Sequence, residues 1–270
     1  MTFQKYSGAG NKFAMINNLN GNYKNYEESV AEIISGENEM DGVIFIESSR
    51  DADFKMNYFN KDGTGDALCG NGLRCTMKFI NDTSISDKDE LNIEAVGKIY
   101  KCLKLNDGQI SVTFPPPGMI KTNFKLKVHF QDWWELLNCS YVDCGSPHIV
   151  VFIDEIMKPK THDLDQVNIS EWGRNIRMHK DLMPEGANVN FVKENSNGEL
   201  AIRSYERGVE GETLACGTGA ISSALIYYIL RRQSKPVKIL TMSGEYLTVD
   251  FNVEEKKLLN VKLTGFTSQL

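Results

Sequence analysis

Short runs in which apolar and polar residues alternate dominate this chain. FKMNYFN (54–60) and LAIRSYE (200–206) alternate with period two, and so do LNIEAV, KIYKCLKL and QISVTF between residues 91 and 114. That period predicts strands with one face on a core, and VIFI (43–46) carries the same β-type residues. Asn106-Asp107-Gly108 lies between two such runs and predicts a hairpin. Two segments break the alternation. LRCTMKFI after Cys69 and GAISSALIYYIL after Cys216 contain no proline and are long enough for helices packed against sheet. Asn168-Ile-Ser-Glu171 before WGRNIRMH reads as a capping box opening a surface helix. Three prolines at 115–117, followed by Gly118, mark the best linker.

The pattern repeats. Cys69 and Cys216 lie 147 residues apart, and Gly97 and Gly244, each within an alternating run, keep the same spacing. At that offset the Asn-Asp-Gly turn falls on Val253-Glu-Glu255. FKMNYFN and LAIRSYE each end about ten residues before their cysteine, and SGAGNKFAMI (7–16) matches CGSPHIVVF (144–152) as a first strand at an offset of 137. The shared order of these matches indicates a duplicated α/β unit, each half a mostly antiparallel sheet wrapped on one apolar helix. The expected domains are residues 1–117 with 258–270, carrying Cys69, and residues 118–257, carrying Cys216. The strand LLNVKLTGF returns to the first half. Paired domains tend to hold their site in the cleft between them, which would let the two cysteines face one substrate.

Composition narrows the picture. With 270 residues, 41% hydrophobic and 24% charged, the chain is an ordinary globular protein of two modest domains. A net charge of −6 argues against a nucleic-acid partner. The N-terminus MTFQKYSGAGNKF lacks an apolar targeting stretch, and AISSALIYYIL is too short to span a bilayer. A cytoplasmic protein without a membrane partner is therefore expected. Six cysteines are too few for a disulfide scaffold at this length, so free thiols are expected. The C-x5-C spacing of Cys69 and Cys75, with four scattered histidines, does not suit structural zinc.

The chemistry rests on DALCGNG (66–72) and TLACGTG (213–219). A cysteine just before a helix meets unpaired N–H groups and the positive end of the dipole, which favour thiolate. Gly-Asn-Gly and Gly-Thr-Gly let backbone N–H groups approach an anion. A carboxylate gripped by Gly70, Asn71, Gly217 and Thr218 would have its α-carbon between two sulfurs. Inversion of a stereocentre needs a base on one face and an acid on the other, and a thiolate and a thiol supply both. Backbone donors on the carboxylate stabilise the carbanion-like intermediate. This chemistry calls for no cofactor and no metal.

These residues resemble the diaminopimelate epimerases, a family of amino-acid epimerases independent of pyridoxal phosphate. YSGAGNKF resembles the opening signature, NKDGTGDALCGNGLRC the first catalytic segment, and GSPHIVVF the strand usually written Gly-Asn-Pro-His. PEGANVNFV and SYERGVEGETLACGTGA match the remaining blocks. The resemblance implies an α/β fold of two pseudo-symmetric domains, each a mixed, mostly antiparallel β-barrel around a central helix. It implies Cys69 and Cys216 as the acid/base pair, with Gly70, Asn71, Gly217 and Thr218 on the reacting carboxylate. It further implies Asn11, Asn60, Asn188 and Arg207 on the distal end of the substrate and Glu206 on the distal ammonium. His148 and Glu206 match residues that tune the thiols. The sequence departs from the pattern at Lys12 (usually Asp), Ser146 (usually Asn) and Gly42 (Gln in some members), the last two at or near substrate-facing positions. ERGVEGET is one residue longer than the commonest spacing.

The leading expectation is cofactor-independent conversion of L,L-diaminopimelate to the meso form, serving lysine and peptidoglycan synthesis. The partner is then a small amino acid, with a homodimer left open. A related two-cysteine racemase acting on glutamate, proline or hydroxyproline is the alternative. The distal polar set argues against the small imino acids. A redox-sensing or binding module without turnover is the third reading; there, Cys216→Ser would spare function under reducing conditions.

Overall fold

The alternating runs become strands, and each apolar run after a cysteine becomes a helix that the strands enclose. The computed structural model describes residues 2–37, 39–65, 68–232 and 235–270. Asp66 and Ala67, the first two residues of DALCGNG, lie outside them. Contacts separate the chain into two units, Met1–Phe114 with Lys262–Leu270, and Pro115–Val261. The division falls at the first of the three prolines.

In chain order the first unit holds β1 (Gln4–Gly8), β2 (Asn11–Asn17), α1 (Tyr26–Gly36), β3 (Gly42–Glu47), β4 (Phe54–Asn60), α2 (Gly70–Asp82), β5 (Glu90–Ala95), β6 (Lys98–Lys104) and β7 (Ile110–Phe114). The second holds β8 (Met119–His129), β9 (Trp134–Asp143), β10 (Pro147–Phe152), α3 (Ile169–Arg177), β11 (Asn188–Glu194), β12 (Leu200–Glu206), β13 (Gly211–Thr213), α4 (Gly217–Arg231), β14 (Val237–Leu240) and β15 (Tyr246–Glu254). The division falls within β16 (Lys257–Gly265), and β17 (Thr267–Gln269) ends the chain. Within the first unit, β17 pairs antiparallel with β1, and Thr264 Oγ1 donates to Ser111 Oγ at 2.9 Å. The tail therefore completes the first sheet.

The two units share one plan. In the first, β1–β2, β3–β4 and β5–β6 are antiparallel, while β2–β3 and β4–β5 are parallel. In the second, β9–β10, β11–β12 and β14–β15 are antiparallel, while β10–β11 and β12–β14 are parallel. Parallel neighbours need a crossover, and each crossover carries a helix. The first crossover of each unit holds an outer helix, α1 or α3; the second holds the central one, α2 or α4.

The central helices are buried almost all round. Ten of the thirteen residues of α2 are buried, and it packs on β1, β2, β3, β4, β6, β7 and β17. Helix α4 packs on β9, β10, β11, β12, β14 and β15. A helix apolar on every side is stable only when strands enclose it. Each fully buried Leu, Ile or Phe contributes about 1.5–3 kcal/mol, and Leu73, Phe79 and Ile80 of α2 and Ile221, Leu225 and Ile226 of α4 do so. Among the described residues no helix is long and apolar enough to cross a membrane.

Several local expectations change. Gly97 and Gly244 stand in hairpin turns rather than within strands, because both have φ in the left-handed region, +66° and +83°. SGAGNKFAMI is not one strand: Ala9 and Gly10, with φ of 52° and 86°, turn the chain between β1 and β2. CGSPHIVVF likewise turns at Gly145 before β10. The turn expected at 253–255 falls later, at Glu255 and Lys256, both at positive φ, as a two-residue hairpin requires. Asn168 caps α3 by accepting from the backbone N–H of Glu171 at 3.3 Å. The reciprocal half of the box is absent: Glu171 Oε2 accepts from the Asn168 amide at 3.1 Å, and Oε1 from the Gln131 N–H at 3.0 Å.

Helix α1 falls in a segment left unassigned above. Asn25 caps it, and Val30 and Ile33 turn inward to pack with β2 and β3 residues such as Ala14, Ile16 and Phe45. In the second unit Trp172 of α3 fills the equivalent role against Phe130 and Trp133.

Candidate active site

Both cysteines are N-caps. Cys69 is extended (φ −121°, ψ 106°), and its Sγ accepts from the Gly72 N–H at 3.3 Å, opening α2. Cys216 repeats this (φ −115°, ψ 112°), with Sγ accepting from the Gly219 N–H at 3.4 Å to open α4. An N-cap side chain normally presents an oxygen to the third helical N–H; here sulfur does so twice at matched positions. The thiols therefore sit in the positive field of two helix starts.

The glycines serve packing as well as any ligand. A Cβ on Gly72 would lie 2.9 Å from Ile44 Cδ1, and one on Gly219 would lie 2.2 Å from Asn190 Oδ1. The helix starts can approach neighbouring strands only because these side chains are missing. On Gly70 a Cβ would meet Leu263 and Phe114 at 3.3 Å; Gly217 is buried at the first position of α4.

In the first unit a chain of amide donors runs from the helix to the sheet. Buried Arg74 donates through Nη2 to Asn71 Oδ1 at 2.8 Å, and Asn71 Nδ2 donates to Asn11 Oδ1 at 2.5 Å. Asn11 Nδ2 in turn donates to Asp41 Oδ2 at 3.4 Å. Asn11 and Asn71 are thus brought together. Asn60 is held elsewhere: its Oδ1 accepts from Tyr58 Oη at 2.7 Å, and its Nδ2 donates to Thr64 Oγ1 at 2.9 Å. Sequence reasoning passed over Arg74 and Asp41. A charge in the run LRCTMKFI, nearer the helix start than Lys78, was the available signal for Arg74.

The second unit assembles its candidates more tightly. Asn188 begins β11 opposite His148 of β10, and Asn188 Oδ1 accepts from the Arg207 backbone N–H at 2.8 Å. Arg207 Nη1 donates to Glu185 O at 3.3 Å. Glu206 accepts from the Cys216 thiol and, through Oε1, from the Thr213 hydroxyl. Glu206 is therefore bound to the sulfur. Thr218 Oγ1 lies 3.6 Å from Cys216 Sγ and 2.8 Å from His148 Nε2. His148 accordingly reaches the thiol through Thr218 and not directly. Thr213, Asn190 and Ser204 were absent from the sequence-derived set, although the alternation in NVNFV puts Asn190 on the same strand face as Asn188.

Burial decides the charge state of Cys216. The helix start favours a thiolate, but burial, followed by the Glu206 carboxylate, pushes the thiol well above its ordinary range, against the opposing hydrogen bonds from Thr218 and Gly219. The magnitudes agree. A helix terminus contributes at most about 2 kcal/mol, roughly 1.5 pKa units, whereas complete burial shifts a group by up to about 3–5 units. Cys216 is thus a thiol that donates to Glu206. Cys69 is more exposed than Cys216. His148, fully buried near the Arg207 charge, is pushed down to about 3 and is neutral.

The departures from the family pattern have separate causes. Ser146 Oγ lies 3.0 Å from His148 Nε2 and donates to Thr218 Oγ1 at 3.4 Å, so it belongs to the Cys216 network. A Cβ on Gly42 would lie 2.5 Å from both Phe59 O and Tyr58 Cε2, so that position serves close strand packing and not a substrate-facing surface. Lys12 pairs with Glu39 at 2.8 Å on the surface.

Comparison with known proteins agrees with this arrangement. The family model described as diaminopimelate epimerase matches residues 3–116 and 140–265, two matches separated by residues 117–139. The diaminopimelate epimerase of Chlorobaculum tepidum is 36% identical over 250 residues, covering 91% of each chain. That of Aquifex aeolicus is 33% identical over 279 residues, covering 98% of this chain and 94% of its own. Among solved structures, a phenazine biosynthesis protein of the PhzF family from Bacillus anthracis superposes with a TM-score of 0.75 at 16% identity, covering 99% of this chain and 96% of its own. A probable proline racemase from Agrobacterium radiobacter reaches 0.70 at 15% identity, covering 99% and 90%. Those two likenesses establish a shared two-unit α/β fold. The matches to the family model and to the epimerases extend to sequence: the chain belongs to the diaminopimelate epimerase family.

Proposed function

We propose that this protein converts L,L-diaminopimelate to the meso form by proton transfer between two cysteines, without a cofactor, as a step of lysine biosynthesis. The observation that carries the reading is the pair of N-capping thiols, Cys69 on α2 and Cys216 on α4, at matched positions of a duplicated unit. In the reaction one sulfur, as thiolate, takes the proton from the α-carbon. The C–H electron pair moves into the carboxylate, and the opposite thiol delivers its proton to the other face. The backbone N–H groups of Gly70, Asn71, Gly217 and Thr218 stabilise the charge that builds on the carboxylate oxygens. Cys216, protonated and hydrogen-bonded to Glu206, suits the donor role when catalysis begins with Cys69 as base.

Selectivity for a second amino-acid head group is assigned to Asn11, Asn60, Asn188 and Arg207, which supply amide and guanidinium donors. A substrate without that head group forgoes those bonds and binds less well. Reduced thiols of this kind persist in the cytoplasm, where we place the reaction. Incubation of the protein with L,L-diaminopimelate in D2O tests the reading. The product is meso-diaminopimelate with deuterium at one α-carbon; absence of exchange at both stereocentres overturns it. Parallel incubations with proline, hydroxyproline and glutamate measure substrate breadth.

A further inference from the structure

A second network stands behind the Cys216 site, and its members lie outside the candidate acid, base and substrate-binding residues. Asn190 of β11 is completely buried, and Ser204 of β12 is its register partner. The orientation of the Asn190 amide is forced. Its Nδ2 donates to Ile149 O at 3.2 Å, and a carbonyl oxygen can only accept. Its Oδ1 accepts from Ser204 Oγ at 2.9 Å. The same Nδ2 lies 3.1 Å from His148 Nδ1, so that ring nitrogen faces a donor and presents its lone pair. Asn188 Nδ2 also lies 3.4 Å from Nε2, but that contact is longer than the one from Asn190, and only Nε2 has hydroxyl oxygens beside it to accept a proton, Thr218 Oγ1 at 2.8 Å and Ser146 Oγ at 3.0 Å. The neutral imidazole therefore carries its single proton on Nε2.

We propose that Asn190, held by Ser204, is a positioning residue that fixes His148 as the Nε2–H tautomer and thereby commits the Thr218 hydroxyl proton to Cys216. The Nε2–H points at Thr218 Oγ1 at 2.8 Å, and Ser146 Oγ also donates to that oxygen at 3.4 Å. With its oxygen accepting, Thr218 has its own proton left for Cys216 Sγ, 3.6 Å away. This hydroxyl stabilises the sulfur when it becomes a thiolate. The opposite tautomer would set an Nδ1–H against the Asn190 N–H and turn the Thr218 proton toward His148, away from the sulfur. Gly219 couples the two ends. Its N–H caps Cys216 Sγ, and its missing Cβ leaves the space that Asn190 Oδ1 occupies.

The catalytic consequence rests on the epimerase reading; the tautomer does not, and it is measured without substrate. Protein labelled with 15N at its four histidines shows each ring tautomer in a two-bond 15N–1H correlation spectrum, with His148→Gln assigning the signal. The expected wild-type pattern for His148 is a protonated Nε2 and an unprotonated Nδ1. Asn190→Leu removes the donor and mixes the two tautomers, and Ser204→Ala releases the amide and does so more weakly, which covers the case in which the leucine variant fails to fold. In folded variants kcat for epimerisation falls at least about tenfold with KM nearly unchanged. A wild-type spectrum with Nδ1 protonated overturns the proposal. So does a His148 pattern and kcat left unchanged by whichever of the two variants folds. The expected tautomer together with no exchange in D2O would overturn the epimerase reading and leave the assignment of His148 standing.

Discussion

Gly219 and Asn190 are fitted to one another: a Cβ on the glycine would lie 2.2 Å from Asn190 Oδ1. The contact links the first turn of α4 to the strand behind His148. Both neighbours are buried and hydrogen-bonded, so neither can yield cheaply. Gly219→Ala is therefore expected to cost about 1–3 kcal/mol through overpacking and to lower kcat by displacing the cap of Cys216. Thermal unfolding and steady-state kinetics check this; an alanine variant matching wild type in both contradicts the fit.

Glu206 raises the pKa of the Cys216 thiol, second only to burial. Glu206→Gln removes that charge, so the thiol becomes more acidic, and each unit lost raises the thiolate fraction about tenfold. Iodoacetamide labelling of Cys216 at pH 8, followed by peptide mass spectrometry that separates it from Cys69, should be faster in the variant. Slower labelling would mean that Glu206 does not govern the thiol.

His148 links stability to acid pH. Its ring is pushed from 6.5 down to about 3 in the folded protein, so between those values the unfolded chain binds a proton that the folded chain does not. Stability is full above pH 6.5 and falls as the pH drops toward 3, by up to about 1.4 kcal/mol per pH unit. Urea unfolding of wild type between pH 6.5 and 4.5 should show this slope, and His148→Gln should show a shallower one. Equal slopes would place the acid sensitivity elsewhere.

The loop after β12 is tied down by Glu210. Its Oε1 accepts from Arg177 Nε and Nη2 at 3.2 and 3.0 Å and from the Gly208 N–H at 3.1 Å. Arg207 rides on this loop. Glu210→Ala is expected to raise KM for diaminopimelate about 3–10-fold with kcat little changed, because it loosens a binding residue and leaves the thiols untouched. A loss confined to kcat would show that the loop serves the chemistry instead.

Much of the chain was readable before folding because its determinants are local. Period-two runs such as FKMNYFN and LAIRSYE became β4 and β12, and the apolar runs after Cys69 and Cys216 became the enclosed helices. Strand pleat and helix pitch act within a few residues, so they leave their mark in sequence order. The spacing of 147 residues between the cysteines exposed the duplication for the same reason. Turns were read less well. Gly97 and Gly244 looked like strand residues because the short turns at 96–97 and 241–245 interrupt the alternation so briefly, and a positive φ has no spelling of its own.

What only the tertiary structure decided are the properties that depend on distant partners. The helix start alone argued for a thiolate; burial and the approach of Glu206 made Cys216 a thiol. His148 was placed beside the thiols by resemblance, yet its reach to Cys216 runs through Thr218, and its tautomer through Asn190 and Ser204, on three separate elements. Gly42 resembled a substrate position until the backbone of Phe59 was seen against it. The sequence by itself determined two matched thiols, each at the mouth of a helix. Their protonation and the orientation of the groups around them came from burial and hydrogen bonding, which act across space and are not written along the chain.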